Sequence, residues 1–151
     1  MNRDAYRSAM RRTAASVAII TAAHEGRIHG MTATAMTSVS ADPPTLLVVV
    51  NRTTRTHPVI ARSGRFAVNV LARGQEELAR RFAAGLENQF EGVAHRLHAA
   101  EVPIIADTAA TFVCVAIDAI DVATHTIFIG RVEEAYYSNL PPLLYHDGKY
   151  T

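Results

Sequence analysis

The run Leu46-Leu47-Val48-Val49-Val50 constrains the fold more than any other stretch of the chain. Consecutive β-favouring aliphatics predict a strand, and a strand apolar on both faces belongs inside a sheet, buried on both sides. It follows directly on Asp42-Pro43-Pro44, where proline lacks the N–H that a strand ladder needs, so the preceding element must stop there. "TFVCVAIDAIDV" (Thr111 to Val122) and "HTIFIGRVEEAYY" (His125 to Tyr137) predict two long strands. "SVAIITAA" (Ser16 to Ala23) and "RFAVNVL" (Arg65 to Leu71) predict two more, and the tail Pro141 to Tyr150 a short strand with a Gly turn. "HEGR" (His24 to Arg27) reads as a hairpin turn that leads into another strand from His29 onward.

Helical signals are fewer. Asp4 is placed to cap a short helix through about Thr13. Thr56 is placed to cap a helix over His57 to Arg62, with Pro58 at its first position and Gly64 just past its end. Gln75 to Ala84 has the clearest pattern: Glu76 with Arg80 and Glu77 with Arg81 are i, i+4 pairs, and Leu78 and Phe82 form an apolar stripe. Gly85 to Glu101 reads as a loop with little regular structure. Regular β-helix-β alternation is missing. The spacing therefore predicts a mainly β fold with peripheral α, an antiparallel sheet closed into a small barrel, as one domain over residues 1–151.

Composition narrows the partners. The chain has 151 residues, a hydrophobic content of 49% and a formal net charge of +1. No basic stripe interleaves with aromatics, so no nucleic-acid partner is expected. No apolar run approaches the ~20 residues of a spanning helix, so no membrane partner is expected either. The single Cys114 fits a reducing compartment, and the expected location is the cytoplasm.

None of the usual catalytic motifs is present: no G-x-G-x-x-G, no P-loop, no G-x-S-x-G. His95 and His98 stand three apart without a carboxylate cluster or a cysteine set, so they read as a surface pair and no metal site is expected. Cys114 lies in an apolar strand and reads as a small buried hydrophobe. Two segments carry chemistry. In "HGMTATAMTSVSADPP", Thr32, Thr34, Thr37, Ser38 and Ser40 offer hydroxyls, while Ala33 and Ala35 let a flat ligand lie against the backbone. The same alternation also suits an exposed strand face. In "NRTTRTHP" (Asn51 to Pro58), three threonines, two arginines and a helix N-terminus suit a phosphate, or equally a solvated loop with a Thr cap.

Four stretches in order, "GMTATAMTSVSADPPTLLVVVN" (Gly30 to Asn51), "FAVNVL" with "LARRF" (Phe66 to Leu71, Leu78 to Phe82), "HTIFIGRVEE" (His125 to Glu134) and "PLLYHDGKY" (Pro142 to Tyr150), cover essentially the whole chain. Together they resemble the flavin reductase family, the reductase components of two-component flavin monooxygenases. The resemblance implies a six-stranded antiparallel split β-barrel of the FMN-binding type, acting as a homodimer. It implies reduction of FMN or FAD by NADH or NADPH, with the reduced flavin passed to a partner monooxygenase. Flavin contacts would fall on Thr32, Ala33, Thr34, Ala35, Ser38, Val39 and Ser40, and phosphate-side contacts on Asn51, Arg52, Thr54 and Thr56. Phe82 and Tyr145 would lie near the same face. His125 matches the family's nicotinamide-side histidine. The chain departs from the family at Thr34-Ala35, where Asn-Ser is common, and at Ala123-Thr124, where the family has Gly-Asp. A non-catalytic flavin-binding split-barrel protein is the alternative reading.

Overall fold

The structure, a computed structural model, describes residues 1–99 and 101–151. In chain order the elements are α1 (Arg3–Met10), β1 (Ala15–Ser16), β2 (Ala18–His24), β3 (Arg27–Ala33), β4 (Met36–Ala41), β5 (Pro44–Asn51), α2 (Thr56–Ser63), β6 (Arg65–Val70), α3 (Glu76–Ala83), β7 (His95–Leu97), β8 (Pro103–Ile105), β9 (Ala110–Val122), β10 (His125–Tyr137), β11 (Leu144–His146) and β12 (Lys149–Tyr150). Among the described residues no helix is long and apolar enough to cross a membrane.

Seven strands form one antiparallel sheet in the order β3-β2-β6-β9-β10-β5-β4. Its two edge strands, β3 and β4, are joined only by Thr34-Ala35. In a flat sheet those edges would stand about 29 Å apart, at ~4.8 Å per strand. The connection spans at most about 11 Å. The sheet must therefore curl until its edges meet at the Thr34-Ala35 corner. Among the described residues no ladder joins β3 to β4, so the edges meet at that corner without being zipped together. Followed as one bent path, β3 and β4 leave six strands; hydrogen bonding divides that path and makes seven.

The curl explains the burial of β5. Leu46, Val48 and Val50 point into the curl and are buried, while Thr45, Leu47, Val49 and Asn51 are only half-buried. The expected burial on both faces is thus corrected: β5 lies next to an edge strand, and no further layer of the chain covers its outer side. Strand β2, deeper in the sheet, is apolar on both sides for a reason. Ala18, Ile20 and Ala22 face the interior with Val68, Phe66 and Phe128, whereas Ile19 faces a second cluster under α3 with Leu71, Phe82, Phe90 and Ile105. Alternation along a strand divides one apolar run between two cores.

Local signals were displaced by a few residues in several places. Asn2, not Asp4, caps α1, its Oδ1 accepting from the N–H groups of Asp4 and Ala5. The strand read over Ser16 to Ala23 breaks at Val17, where the chain passes from a small sheet (β1-β11-β12) to the main one. Pro58 is the third residue of α2, and Gly64 ends it at φ 68° as expected of a left-handed cap. Glu76 pairs with Arg80 at 2.6 Å. Arg81 turns away from Glu77 and donates instead to the carbonyls of Asn88 and Gln89, both at 2.6 Å. The segment read as an irregular loop contains β7, paired with β8.

A buried amide ties three strands together. Asn69 of β6 is fully buried. Its Nδ2 donates to the Ile19 carbonyl (2.9 Å) and to Thr21 Oγ1 (3.0 Å), and its Oδ1 accepts from the Ile105 N–H (3.0 Å). Thr21 in turn donates to the Pro103 carbonyl at 2.6 Å. This hub holds β8 against the back of the sheet.

Candidate flavin site

A cleft of about 410 Å³ opens between β3, the C-terminal end of α3 and the loop from β5 to α2. It brings together Thr32, Thr54, Thr56 and Phe82 of the expected residues, and adds Arg55 and Gln89. The Thr32 hydroxyl donates to the Ala79 carbonyl (2.6 Å) and so fastens α3 to β3. Thr54 donates to the Asn51 carbonyl (2.9 Å) and accepts from the His57 N–H (3.3 Å). Thr54 is therefore the side chain that caps α2, in place of Thr56. That shift frees Thr56: it is 2% exposed and lines the cleft, and among the described residues its hydroxyl has no hydrogen-bond partner. The N-terminus of α2 is held in place from below, because His57 Nε2 lies 2.8 Å from Thr126 Oγ1 and Thr126 donates to Asp121 (2.7 Å).

The opposite wall is built by residues that the sequence reading did not select. Gln89 clamps Gly30 in β3, accepting from its N–H (3.2 Å) and donating to its carbonyl (2.7 Å). Arg81 holds the same loop by its two carbonyl contacts. The Gln89–Gly30 contacts join positions 59 residues apart, so no local pattern announces them.

Other expected residues lie elsewhere. The bend at the Thr34-Ala35 corner separates Thr34 from Thr32. Thr34 and Tyr145 line a second hollow of about 430 Å³ beneath α1, where Tyr145 packs on Tyr150 with ring centroids 5.2 Å apart. Ala33 ends β3 and packs against the inner core, and the Ala35 carbonyl accepts from the Val49 N–H at 3.0 Å. Ser38, Val39 and Ser40 lie on edge strand β4 at an irregularity in its pairing, with Val39 53% exposed. The Ser40 hydroxyl is engaged locally, donating to the Asp42 carbonyl and accepting from its N–H, both at 3.2 Å.

Asn51, Arg52 and His125 meet at the β9–β10 turn. Asn51 Oδ1 accepts from the Thr53 N–H and hydroxyl, each at 2.9 Å. Arg52 donates to the His125 carbonyl (2.7 Å) and to the Ala123 carbonyl. Ala123 sits at φ 51°. A left-handed conformation costs an L-residue about 1–2 kcal/mol, and glycine in the family pattern would avoid that cost. Arg52 is thus a clasp on a strained turn, and of the loop's two arginines it is Arg55 that lines the cleft. His125 Nδ1 lies 2.8 Å from Thr124 Oγ1.

Burial acts in opposite directions on a histidine and on the cysteine. His29 is held below its ordinary range by partial burial, then by the guanidinium groups of Arg55 and Arg27. Burial, reinforced by Glu133, pushes the Cys114 thiol up to about 12, so it stays protonated at neutral pH and offers no nucleophile. His95 Nδ1 sits 2.7 Å from the Val93 carbonyl, and His98 faces Glu134 at 2.9 Å. Among the described residues no three His, Cys, Asp or Glu gather where a metal ion could be held.

Comparison with known proteins addresses the same region. The flavin reductase like domain model matches residues 10–151. A Rhizobium meliloti (strain 1021) protein named "Probable flavin reductase" is 40% identical over 97% of this chain, which spans only 47% of that protein's length. The reductase component of FADH(2)-dependent resorcinol hydroxylase from Rhizobium sp. (strain MTP-10005) is 39% identical over 96% of this chain and 84% of its own. The NADH:FAD oxidoreductase SgcE6 of Streptomyces globisporus C-1027, solved with NAD and FAD fragments, superposes with a TM-score of 0.94 at 31% identity, covering 99% of this chain and 92% of that one. A family match over nearly the whole chain, relatives of matching sequence and a backbone of the same shape agree: the chain belongs to the flavin reductase like domain family.

Proposed function

We propose that this chain is an NAD(P)H:flavin oxidoreductase that reduces FMN or FAD with NADH or NADPH and supplies reduced flavin to a partner monooxygenase. The observation that carries the reading is Thr56: a buried residue whose unpartnered hydroxyl opens into a cleft beside an arginine and a helix N-terminus. Every enclosed side-chain nitrogen or oxygen among the described residues has a partner, so the Thr56 hydroxyl is one that reaches the cleft's solvent, where a ligand oxygen can take the place of water. The cleft also has the size of a small-molecule site, whose usual range is about 300–1,000 Å³.

The donor set fits a flavin phosphate. Thr56 Oγ1 and the Arg55 guanidinium supply a hydroxyl and a positive charge, and α2 adds its dipole. Thr32 and Thr54 already donate within the chain and keep oxygen lone pairs to accept from a polyol chain. Phe82 and Leu86 provide the apolar wall. When bound, the two nucleotides supply hydride transfer from nicotinamide C4 to flavin N5. The chain's task is to hold them face to face and exclude water, which requires no nucleophile and no catalytic triad. His125, beside the strained turn, orients the nicotinamide. Of the other expected contacts, Ala33, Ala35, Ser38, Val39, Ser40, Asn51 and Tyr145 lie outside this cleft, so they would meet only those parts of a flavin that extend beyond it.

The direct test follows NADH and NADPH absorbance with FMN, FAD and riboflavin as acceptors. Turnover with a phosphorylated flavin, and weaker use of riboflavin, is expected. Flavin binding without turnover would favour the non-catalytic alternative, and no affinity for flavin would end the proposal. Thr56→Val should weaken FMN binding by about 1.5–3 kcal/mol, the range for a hydrogen bond to a charged group. Its melting temperature and its riboflavin affinity should stay close to wild type. His125→Ala should raise KM for NADH and lower kcat/KM about tenfold, with flavin affinity unchanged. A mutant with wild-type NADH kinetics would return His125 to a turn role.

The same reading includes a homodimer. Ile127 pairs with Val49 and Ile120, and Ile129 with Leu47, across the outer face of the sheet. Ile120, Ile117 and Val122 are 43%, 52% and 51% exposed. An apolar patch of this kind on the outside of a sheet needs cover. Light scattering at micromolar concentration should give twice the chain mass, and a monomer there would count against the dimer.

A further inference from the structure

Next to the cleft runs a groove whose charge the flavin phosphate alone does not use. Two hollows of about 530 and 560 Å³ share Arg27, His29 and Arg55, and Arg55 also lines the cleft. Arg62, about two helical turns beyond Arg55 along α2, lines the first of these hollows together with His24. Five arginines are engaged elsewhere: Arg65 with Glu133, Arg80 with Glu76, Arg11 with Asp147, Arg52 and Arg81 with carbonyls. Among the described residues Arg3, Arg7, Arg12, Arg73 and Arg131 make no such contact, but they stand apart, on or just after α1, after β6 and on β10. Among the described residues Arg27, Arg55 and Arg62 have no such ion pair or hydrogen bond. Two carboxylates border the groove: Glu25, 3.6 Å from His24 Nε2, and Glu87. Three guanidinium groups therefore face two carboxylates, in a chain whose overall balance is only +1.

Unpaired arginines that converge on a concave surface recognise phosphate, through charge and a rigid fork of donors. Arg55 stands on the border between cleft and groove. A group bound at the cleft phosphate and continuing past Arg55 would meet Arg27 and Arg62 next. We propose that this groove is a second phosphate subsite that takes the adenosine-side phosphate of a flavin dinucleotide, so that the chain prefers FAD to FMN. This rests on the flavin-binding reading given above. It assigns the two arginines of α2 and the β2–β3 hairpin a part in choosing the flavin and none in the hydride step. Because the groove is open to solvent, its contribution is screened by salt, whereas the enclosed Thr56 contact is not.

The experiment is flavin titration by fluorescence quenching on the full chain and on an Arg27→Gln/Arg62→Gln double variant. Both residues are exposed, so the variant should fold, as circular dichroism will report. The expected result is FAD affinity reduced by about tenfold or more, FMN affinity within about twofold of wild type, and a wild-type FAD preference that shrinks from roughly 50 to 500 mM salt. A mutation-free arm uses adenosine monophosphate, which should compete with FAD yet leave bound FMN in place. Unchanged FAD affinity, equal loss for FMN and FAD, or a loss confined to NADPH overturns the subsite, as does adenosine monophosphate displacing FMN as readily as FAD. A wild-type chain that binds FMN and FAD equally sinks the subsite alone. One that binds neither sinks the flavin reading itself.

Discussion

Asn69→Leu should destabilise the protein by about 2–4 kcal/mol, because it orphans buried polar groups that cost roughly 1–3 kcal/mol each when left unpaired. Leucine keeps asparagine's branched heavy-atom skeleton and is the bulkier of the two, so no cavity explains the loss. What disappears is the acceptor for the Ile105 N–H and the donor to Ile19 and Thr21. For a chain of this length the melting temperature should fall by about 2–4 °C for each kcal/mol. The β8 segment should also lose its protection, so hydrogen exchange at Ile105 should accelerate beyond the global change. A urea midpoint equal to that of the wild type would show that the hub is not needed.

Phe82→Ala should cost more, about 3–5 kcal/mol for removing a buried aromatic ring. Phe82 is 2% exposed and meets Phe90 edge-on, centroids 5.0 Å apart at 79°. Its ring also fills the space over Gly30, where an added Cβ would stand 2.8 Å from Phe82 Cε1. This one side chain is thus core on one side and cleft wall on the other. Flavin affinity should fall with stability, and Phe82→Leu should recover part of both. Gly30→Ala approaches the same contact from the other strand. It should cost about 1–3 kcal/mol by overpacking. If Phe82→Ala melted normally but bound no flavin, the ring would be a ligand contact alone.

Much of the architecture was legible because the signals were local. Strands β6, β9 and β10 lie within a residue of their expected limits, since β-branched runs bounded by turn residues leave few alternatives. The β2–β3 turn follows from Glu25 and Gly26, both at positive φ, and Gly64 ends α2 for the same backbone reason. The hydroxyl-rich segments were also visible, but the division of labour inside them was not. Composition cannot distinguish Thr54, whose oxygen serves the backbone of α2, from Thr56, whose oxygen is left over. Likewise Arg52 and Arg55 are equivalent as letters, and only the position of the Ala123 turn makes the first a clasp and leaves the second at the cleft.

The sequence by itself determined the mainly β character, the three helices and the long strands β6, β9 and β10, and it singled out the two hydroxyl-rich segments as candidates. Those properties depend on side-chain pattern over a few residues, which backbone sterics translate directly into local conformation. Tertiary structure alone decided that β3 and β4 become opposite edges of one sheet, because a two-residue corner forces that sheet to curl. It alone brought Gln89 to Gly30, Asn69 to Ile105 and Arg55 beside His29. Such contacts join distant positions through the packing of whole elements, and their hydrogen bonds are satisfied only once the layers have come together.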